Sequence, residues 1–503
     1  MANGTHHYTV DRIGASLVYD GRGVNGQLAD PAVNIVFVHG LRGHPRRTWE
    51  YNSACRDGTR GTEGNSSRLS LLKFWSKVPL SHSVDVSTKR AKTGVFWPAD
   101  LLPFVIPNAK IFSYGYDADV IPGIFKSTSR NSILHHGNDL MVRLERVMDN
   151  KKPIIFVAHS LGGLVVKAAV QKCKTSSDMR YQSLYRRFDT VVFCGTPHRV
   201  SEAGAWGKVA RNLVAAALRD SNPILVRDLE VDCRMLECIH LNFRKILLEG
   251  RIRIHTFQEG QGLKGVKGFT GKVVDDFSAR VDYKPETVET IDAGHLNMVR
   301  FKNERKPGFR ALSRVLRRYV LTVNERKYTL CIRKGNEYFK RRILLSFLQD
   351  REKALRYFIR ACSLLNPIDF DRQTYVYSKM MFVEMEISYY CPFPRPKQAQ
   401  HLHQAHGYGL QALEKAQLLR DVTKVAEIKL MLACVKAREV KLDYIMEVDD
   451  RILSRKRELI MKEIGVAMNN VRTMNPSNIT EFEQWGKRAF MSLEKLNLVS
   501  LSE

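Results

Sequence analysis

A serine in the segment IIFVAHSLGGLVVKAAV has the surroundings that an acyl-transfer nucleophile needs. The run IIFVA predicts a buried strand and LVVKAAV predicts a helix, so Ser160 falls in the sharp turn between them. Ala158 and Gly162 keep this turn free of bulky side chains, which would clash where the backbone is strained. We therefore expect the turn to expose the Ser160 hydroxyl above the sheet, beside the positive field of the helix N-terminus.

A second segment, IVFVHGLRGHPRRTW, can supply hydrogen-bond donors for a negatively charged oxygen. An early strand ends at His39, and Gly40 lets the loop turn so that the N–H of Leu41 points inward. Together with the N–H of Leu161, directly after the serine, this amide predicts an oxyanion hole.

The segment TIDAGHLNMVRF offers a histidine for the same chemistry. His295 follows the last predicted strand on a glycine-containing loop, where a general base can reach Ser160. Other histidines, such as His135 and His136 in a predicted helix, lack that setting. The spacing therefore predicts that His295 takes the proton of the serine hydroxyl.

The acid of a Ser-His-acid triad should follow a strand between Ser160 and His295 in the chain. Glu259 directly ends the strand segment RIRIHTFQE, which makes it the favoured acid. Asp275, in GKVVDDFSARV, is the alternative, and Asp292 or the lack of any acid are further alternatives that the residues leave open. Such a triad needs neither a metal nor an organic cofactor.

These residues need a sheet whose strands end together, and the first 320 residues predict one. Short β-branched runs alternate with helical stretches, which is the pattern of a mostly parallel sheet with helices on both faces. Continuous apolar runs, typical of strands covered on both faces, predict strands at Asn34–His39, Lys110–Tyr114, Ile154–Ala158, Thr190–Cys194, Ile252–Phe257 and Val288–Ile291. The Ser-, Gly-, Lys- and Arg-rich stretch 54–93 predicts a mobile surface insertion.

From about Leu321 the strand signals stop and helical periodicity continues. The segments DREKALRYFIRACSLLNP and YGLQALEKAQLL place small and large apolar residues at helical spacing, as tetratricopeptide-type repeats do. Because the spacing between the copies is irregular, an ordinary helical bundle is the alternative. We expect an α/β domain at 1–320 and an all-α, repeat-like domain at 321–503, whose helices could hold a protein partner.

The chain is strongly basic, because 80 Lys and Arg against 52 Asp and Glu give a net charge of +28. This balance favours anionic partners, and we expect a membrane surface rather than nucleic acid, since no nucleic-acid module is recognisable. No stretch approaches the roughly 18 apolar residues that span a bilayer, and MANGTHHYTVDR lacks the features of a secretory signal. Nine cysteines without a C-x-x-C pair predict reduced thiols in an intracellular, non-secreted protein.

Six segments in order resemble the serine-active-site-containing, serine esterase or lipase-like family of α/β-hydrolases. They are HGLRGHPRRTW, FWPADLLP, IFSYGYDADV, FVAHSLGGLVVKAA, VVFCGTPHR and IDAGHLNMVRF, and they lie within residues 10–320. Similar domains stand at the front of some fungal NOD-like receptors. The chain has no G-x-x-x-x-G-K-[ST] motif, so the nucleotide-binding module of those receptors is missing.

The resemblance implies an α/β-hydrolase fold and an esterase or lipase activity, with phospholipids among the expected substrates. It implies Ser160 and His295 as catalytic residues, the amides of Leu41 and Leu161 as oxyanion donors, and Glu259 as the acid. From the animal relatives it implies a link to mitochondrial and endoplasmic-reticulum membranes. We therefore expect the chain to be cytoplasmic or peripheral on those membranes.

Two positions depart from the family pattern. Gly294 precedes His295 where aspartate is common, and Gln258 precedes Glu259 where glycine or tyrosine is common. Because a fold does not establish an activity, the alternative is a weak or inactive hydrolase-fold scaffold or signalling protein that binds a partner through its helices.

Overall fold

The computed structural model describes residues 9–21, 31–52, 94–118, 132–148, 151–200, 206–218, 232–262, 271–341, 346–390, 394–445, 450–474 and 479–494. The insertion expected at 54–93 lies outside these described residues. The chain divides into two compact units, Met1–Val320 and Leu321–Glu503.

The first unit is built on one seven-stranded sheet. The described strands are β1 (Gly14–Tyr19), β2 (Val33–Val38), β3 (Glu50–Asn52), β4 (Gly94–Phe96), β5 (Ala109–Gly115), β6 (Ile154–His159), β7 (Phe188–Cys194), β8 (Arg253–Glu259) and β9 (Thr287–Ile291). The order in the sheet is β1-β5-β2-β6-β7-β8-β9, and β3 and β4 form a separate antiparallel pair. Only the β1–β5 pairing in this sheet is antiparallel, so the prediction of a mostly parallel sheet is confirmed.

Burial explains why the central strands could be predicted from the sequence and the edge strand β1 could not. Strands β2 and β6 are buried along their whole length, as expected for continuous apolar runs with helices on both faces. All six predicted strands are present, each within two residues of its expected ends. Strand β1 lies at the antiparallel edge, and its side chains alternate between buried and half-buried, so it lacks a continuous apolar run.

Helices cover the sheet and make up the whole described part of the second unit. They are α1 (Trp97–Asp100), α2 (Leu102–Val105), α3 (Ile133–Val147), α4 (Gly162–Thr175), α5 (Met179–Tyr185), α6 (Trp206–Leu218), α7 (Cys233–Leu247), α8 (Pro307–Lys340), α9 (Phe347–Cys362), α10 (Phe370–Tyr390), α11 (Arg395–Leu418), α12 (Val422–Ile445), α13 (Asp450–Met474) and α14 (Ile479–Glu494). The prediction of an α/β region followed by an all-helical region is therefore confirmed.

Consecutive helices of the second unit pack through small residues placed against large ones. A Cβ atom on Gly335 of α8 would lie 2.7 Å from Cε1 of Phe358 in α9, so only glycine allows this approach. Inside the same packing, the fully buried Arg351 guanidinium donates to a carboxylate oxygen of Glu386 at 2.5 Å. This arrangement fits a repeat-like helical module. No helix in the described part of the chain is long and apolar enough to cross a membrane.

Candidate active site

Ser160 occupies a strained turn at the C-terminal edge of the sheet. Strand β6 ends at His159 and α4 begins at Gly162, and Ser160 between them has a φ of +56°, a conformation that is uncommon for a non-glycine residue. The Ser160 N–H donates to the carbonyl of Cys194 at 2.9 Å, and the Thr196 hydroxyl donates to the Ser160 carbonyl at 3.0 Å. The last residue of β7 and the loop that follows it therefore hold Ser160 through both its N–H and its carbonyl.

The glycines after the serine are required by packing. A Cβ atom on Gly162 would lie 2.3 Å from the carbonyl oxygen of His39, and one on Gly163 would lie 2.3 Å from Oγ1 of Thr196. Both distances are too short for any side chain. The small residues of the motif thus allow α4 to start directly between the ends of β2 and β7.

The structure brings Ser160, His295 and Glu259 together. Nε2 of His295 lies 2.9 Å from Oγ of Ser160, which is hydrogen-bonding distance. On the other side of the ring, Nδ1 of His295 lies 3.5 Å from Oε1 of Glu259. The three side chains thus lie in the spatial order that is predicted for a nucleophile, a base and an acid.

The 3.5 Å between Nδ1 of His295 and Oε1 of Glu259 is longer than a usual hydrogen bond. Each side chain nevertheless has an atom that can form one. Oε1 of Glu259 accepts the N–H of Val274 at 2.6 Å, whereas Oε2 is buried without a hydrogen-bond partner among the described residues. Within the same part of the chain, Nδ1 of His295 is also buried without a hydrogen-bond partner. Since an unsatisfied buried polar atom costs about 1–3 kcal/mol, a small rotation that joins the carboxylate to Nδ1–H would be favourable.

The alternative acids have other roles. Asp275 is exposed and caps a turn, in which its carboxylate accepts the Ser278 N–H at 2.9 Å and the Ser278 hydroxyl at 2.8 Å. Asp292 is also exposed, and its carboxylate accepts a hydrogen bond from Nε2 of Gln261 at 2.9 Å. Neither carboxylate is hydrogen-bonded or ion-paired to His295 in the described structure.

The expectation that the Ser160 hydroxyl is exposed above the sheet is wrong. Ser160 is 3% exposed, His295 2% and Glu259 1%. The loop after β2 causes much of this burial, because a Cβ atom on Gly40 would lie only 2.6 Å from Cβ of Ser160. His295 covers the hydroxyl from the other side.

The same close approach places the predicted oxyanion donors next to the serine. Leu161 follows Ser160 directly, and Leu41 follows Gly40. Among the described residues, no group accepts a hydrogen bond from the N–H of Leu41 or of Leu161. Both donors therefore remain available for an oxygen atom that is bound beside Ser160.

His39 fixes the orientation of the Leu41 N–H. The Gly40 carbonyl is held at 3.0 Å by the Gly43 N–H and at 3.0 Å by Nδ1 of His39. In a trans peptide the C=O and the following N–H point in opposite directions, so anchoring this carbonyl also aims the Leu41 N–H. From the sequence alone, His39 is recognisable only as the end of a strand.

The protonation state of His39 suits this role. Its Nε2 accepts the N–H of Tyr116 at 3.3 Å, so Nδ1 carries the proton that goes to Gly40. The ring stacks on Tyr116 with centroids 4.5 Å apart. Burial lowers the pKa of His39 to about 4, which keeps the ring neutral and its tautomer fixed at neutral pH.

Two further groups, which were not identified from the sequence, hold His295 in place. Nε2 of His159 donates to the His295 carbonyl at 2.9 Å, and burial holds the pKa of His159 well below its usual range. Gly195 has a φ of +59°, and a Cβ atom there would lie 3.1 Å from Nδ1 of His295. A glycine directly after β7, at the edge where Ser160 lies, was the sequence signal for this close approach.

The described residues contain no group of three or more His, Cys, Asp or Glu side chains arranged to hold a metal ion.

The chain is similar to curated relatives over part of its length. It is 22% identical over 227 residues to Protein SERAC1 of Bos taurus, which covers 45% of this chain and 30% of that protein. It is 22% identical over 275 residues to Protein SERAC1 of Mus musculus, covering 54% and 36%. For Protein SERAC1 of Danio rerio the identity is 23% over 229 residues, covering 45% and 30%. The chain thus spans only about a third of the length of these relatives, and no family model matches it.

Proposed function

We propose that the chain is a serine hydrolase that cleaves carboxylic esters, with lipid esters as the favoured substrate class. The observation that carries this proposal is the 2.9 Å contact between Oγ of Ser160 and Nε2 of His295 at a strained strand-to-helix turn. Glu259 lies behind the histidine. The partial similarity to Protein SERAC1 is in line with the resemblance to serine-active-site-containing hydrolases.

The first half of the reaction would acylate Ser160. Its oxygen attacks the ester carbonyl carbon while Nε2 of His295 accepts the hydroxyl proton. The carbonyl oxygen becomes an oxyanion, to which the N–H groups of Leu41 and Leu161 donate. The carbon–oxygen bond to the alcohol then breaks, and the alcohol leaves with the proton from His295.

The second half would release the acid. A water molecule gives a proton to His295 and attacks the acyl carbon, and the same two amides stabilise the second oxyanion. The bond to Ser160 then breaks, and Oγ takes the proton back from His295. Glu259 holds the imidazole in the tautomer with the proton on Nδ1 and stabilises the imidazolium in both halves.

The burial of all three side chains favours a second candidate, a hydrolase-fold scaffold without turnover. A fluorophosphonate probe separates the two functions because it labels only an activated serine. We expect the folded chain to be labelled on the peptide that contains Ser160, and the heat-denatured chain to remain unlabelled. A folded chain that is not labelled at Ser160 would support the scaffold.

We expect His39 to act as a positioning residue for the oxyanion hole. His39→Ala removes the Nδ1–H donor to the Gly40 carbonyl and should lower kcat about 10- to 100-fold, less than the loss of an oxyanion donor itself. KM should change little, since the bound ester is not touched. Steady-state kinetics on a p-nitrophenyl ester measure both constants.

Two amide variants provide the control for His39. The Asn side chain places an N–H near the position of Nδ1, whereas Gln places its amide near Nε2. His39→Asn should therefore recover more of the lost kcat than His39→Gln does. Equal losses in both variants would indicate that His39 matters only for packing.

A further inference from the structure

A groove with a volume of about 450 Å³ lies between the edge strand β9 and the first turns of α8. Three arginines from one helix line it, Arg310, Arg314 and Arg318, and Glu289 of β9 lines the opposite side. None of these residues belongs to the group around Ser160.

The three arginines form a continuous cationic stripe. Their spacing of four residues keeps them on one face of the helix, and eight residues at 1.5 Å each spread them over about 12 Å. All three side chains are exposed. In the described structure no carboxylate lies within ion-pair distance of Arg310 or Arg314.

The helix that carries this stripe is well packed, and apolar residues lie beside the arginines in the groove. Pro307 and Val315 of the same helix also line the groove. The opposite face of α8 is anchored in the first unit through Phe309, Leu312 and Leu316, which are at most 2% exposed. The stripe is therefore attached to a packed helix rather than to a loop.

Glu289 is the only acid among the described residues that line the groove, and its negative charge opposes the positive charge of the arginines. Its carboxylate lies 3.5 Å from Nε2 of His255, but burial lowers the pKa of that histidine to about 4. At neutral pH the His255 ring is therefore neutral and does not cancel the charge of Glu289. A carboxylate at this place should repel an anion that the arginines attract.

We infer that this groove is a binding site for the phosphate group of a phosphorylated ligand. Guanidinium groups donate two parallel hydrogen bonds to phosphate oxygens, and three of them over about 12 Å suit a ligand with several such oxygens. Either a soluble phosphate compound or the headgroup of an anionic lipid provides this chemistry. The +28 charge of the chain would assist the approach of both.

Binding to inositol hexakisphosphate, measured by titration calorimetry on the full chain, tests the soluble source. Co-sedimentation with phosphatidylcholine vesicles, with and without phosphatidic acid, tests the lipid source. We expect Arg314→Gln to weaken phosphate-dependent binding about 10-fold in at least one assay, as expected for a charge-assisted contact. Binding to vesicles alone would assign a headgroup, and binding to both ligands would assign a general phosphate site.

Two variants distinguish binding in the groove from non-specific electrostatic attraction to a basic protein. Arg305→Gln removes the same charge from a side chain that is 89% exposed outside the groove, and it should change binding less than about twofold. Glu289→Gln should tighten binding by a few-fold, because it removes the repelling carboxylate. Thermal unfolding of each variant verifies that it is folded.

The inference is overturned if Arg305→Gln and Arg314→Gln weaken binding equally, or if neither phosphate ligand binds. It is also overturned if a single-stranded oligonucleotide binds more tightly than both ligands and depends equally on Arg314, because the groove would then serve nucleic acid. None of these outcomes depends on whether Ser160 is catalytic.

Discussion

Ser160→Ala is expected to abolish ester hydrolysis and labelling by a fluorophosphonate probe. Without Oγ no acyl intermediate can form, and the loss in kcat should be about 10⁶-fold, as for other triad serines. The variant should still fold, but not with unchanged stability, because Ser160 is buried and donates toward Nε2 of His295. Loss of that hydrogen bond should lower the free energy of unfolding by about 1 kcal/mol.

Ser160→Gly is the matched control for this prediction. It should be as inactive as Ser160→Ala, but glycine adopts the φ of +56° without strain. We therefore expect the glycine variant to be more stable than the alanine variant by about 1 kcal/mol, measured by urea unfolding. Turnover by either variant close to that of the unmodified chain would refute Ser160 as the nucleophile.

The position of the candidate nucleophile could be predicted because the determinants of the turn that holds it are local. An apolar strand, two glycines and a helix within 17 residues define the turn that holds Ser160. The burial of its hydroxyl could not be predicted in this way. It is produced by the loop at Gly40 and by His295, which is 135 residues away from Ser160 in sequence.

Sheet register explains why the sequence left several candidates for the acid but only one favoured candidate for the base. Glu259 is paired with Ile291 at the ends of the parallel strands β8 and β9, and His295 follows four residues after Ile291. The sequence indicates where each strand ends but not which strands are neighbours.

The supporting residues His39 and Gly195 were missed for a related reason. Each acts through a contact with a segment that is distant in sequence: His39 through Tyr116, and Gly195 through the His295 ring. A histidine before a loop glycine, or a glycine after a strand, has many ordinary structural explanations. Only the assembled edge of the sheet shows which of these residues lie against the candidate site.

Glu259→Gln is expected to lower kcat about 10⁴-fold, whereas Asp275→Asn should leave it within a few-fold of the unmodified chain. The oxygen of the introduced side-chain amide can still accept the Val274 N–H, so the local backbone should be preserved. The NH₂ group of that amide, however, favours the imidazole tautomer whose Nδ1 is an acceptor. That tautomer carries its proton on Nε2 and cannot accept the Ser160 proton.

Asp275→Asn is a suitable control because it makes the same chemical change in a carboxylate 16 residues later in the chain. Its exposed side chain caps the turn at Ser278, and an asparagine oxygen can accept the same N–H. Steady-state kinetics on one ester give kcat and KM for both variants, and the loss for Glu259→Gln should fall on kcat. If Asp275→Asn proves the more damaging, Asp275 must reach His295 during turnover, and the role of acid passes from Glu259 to Asp275.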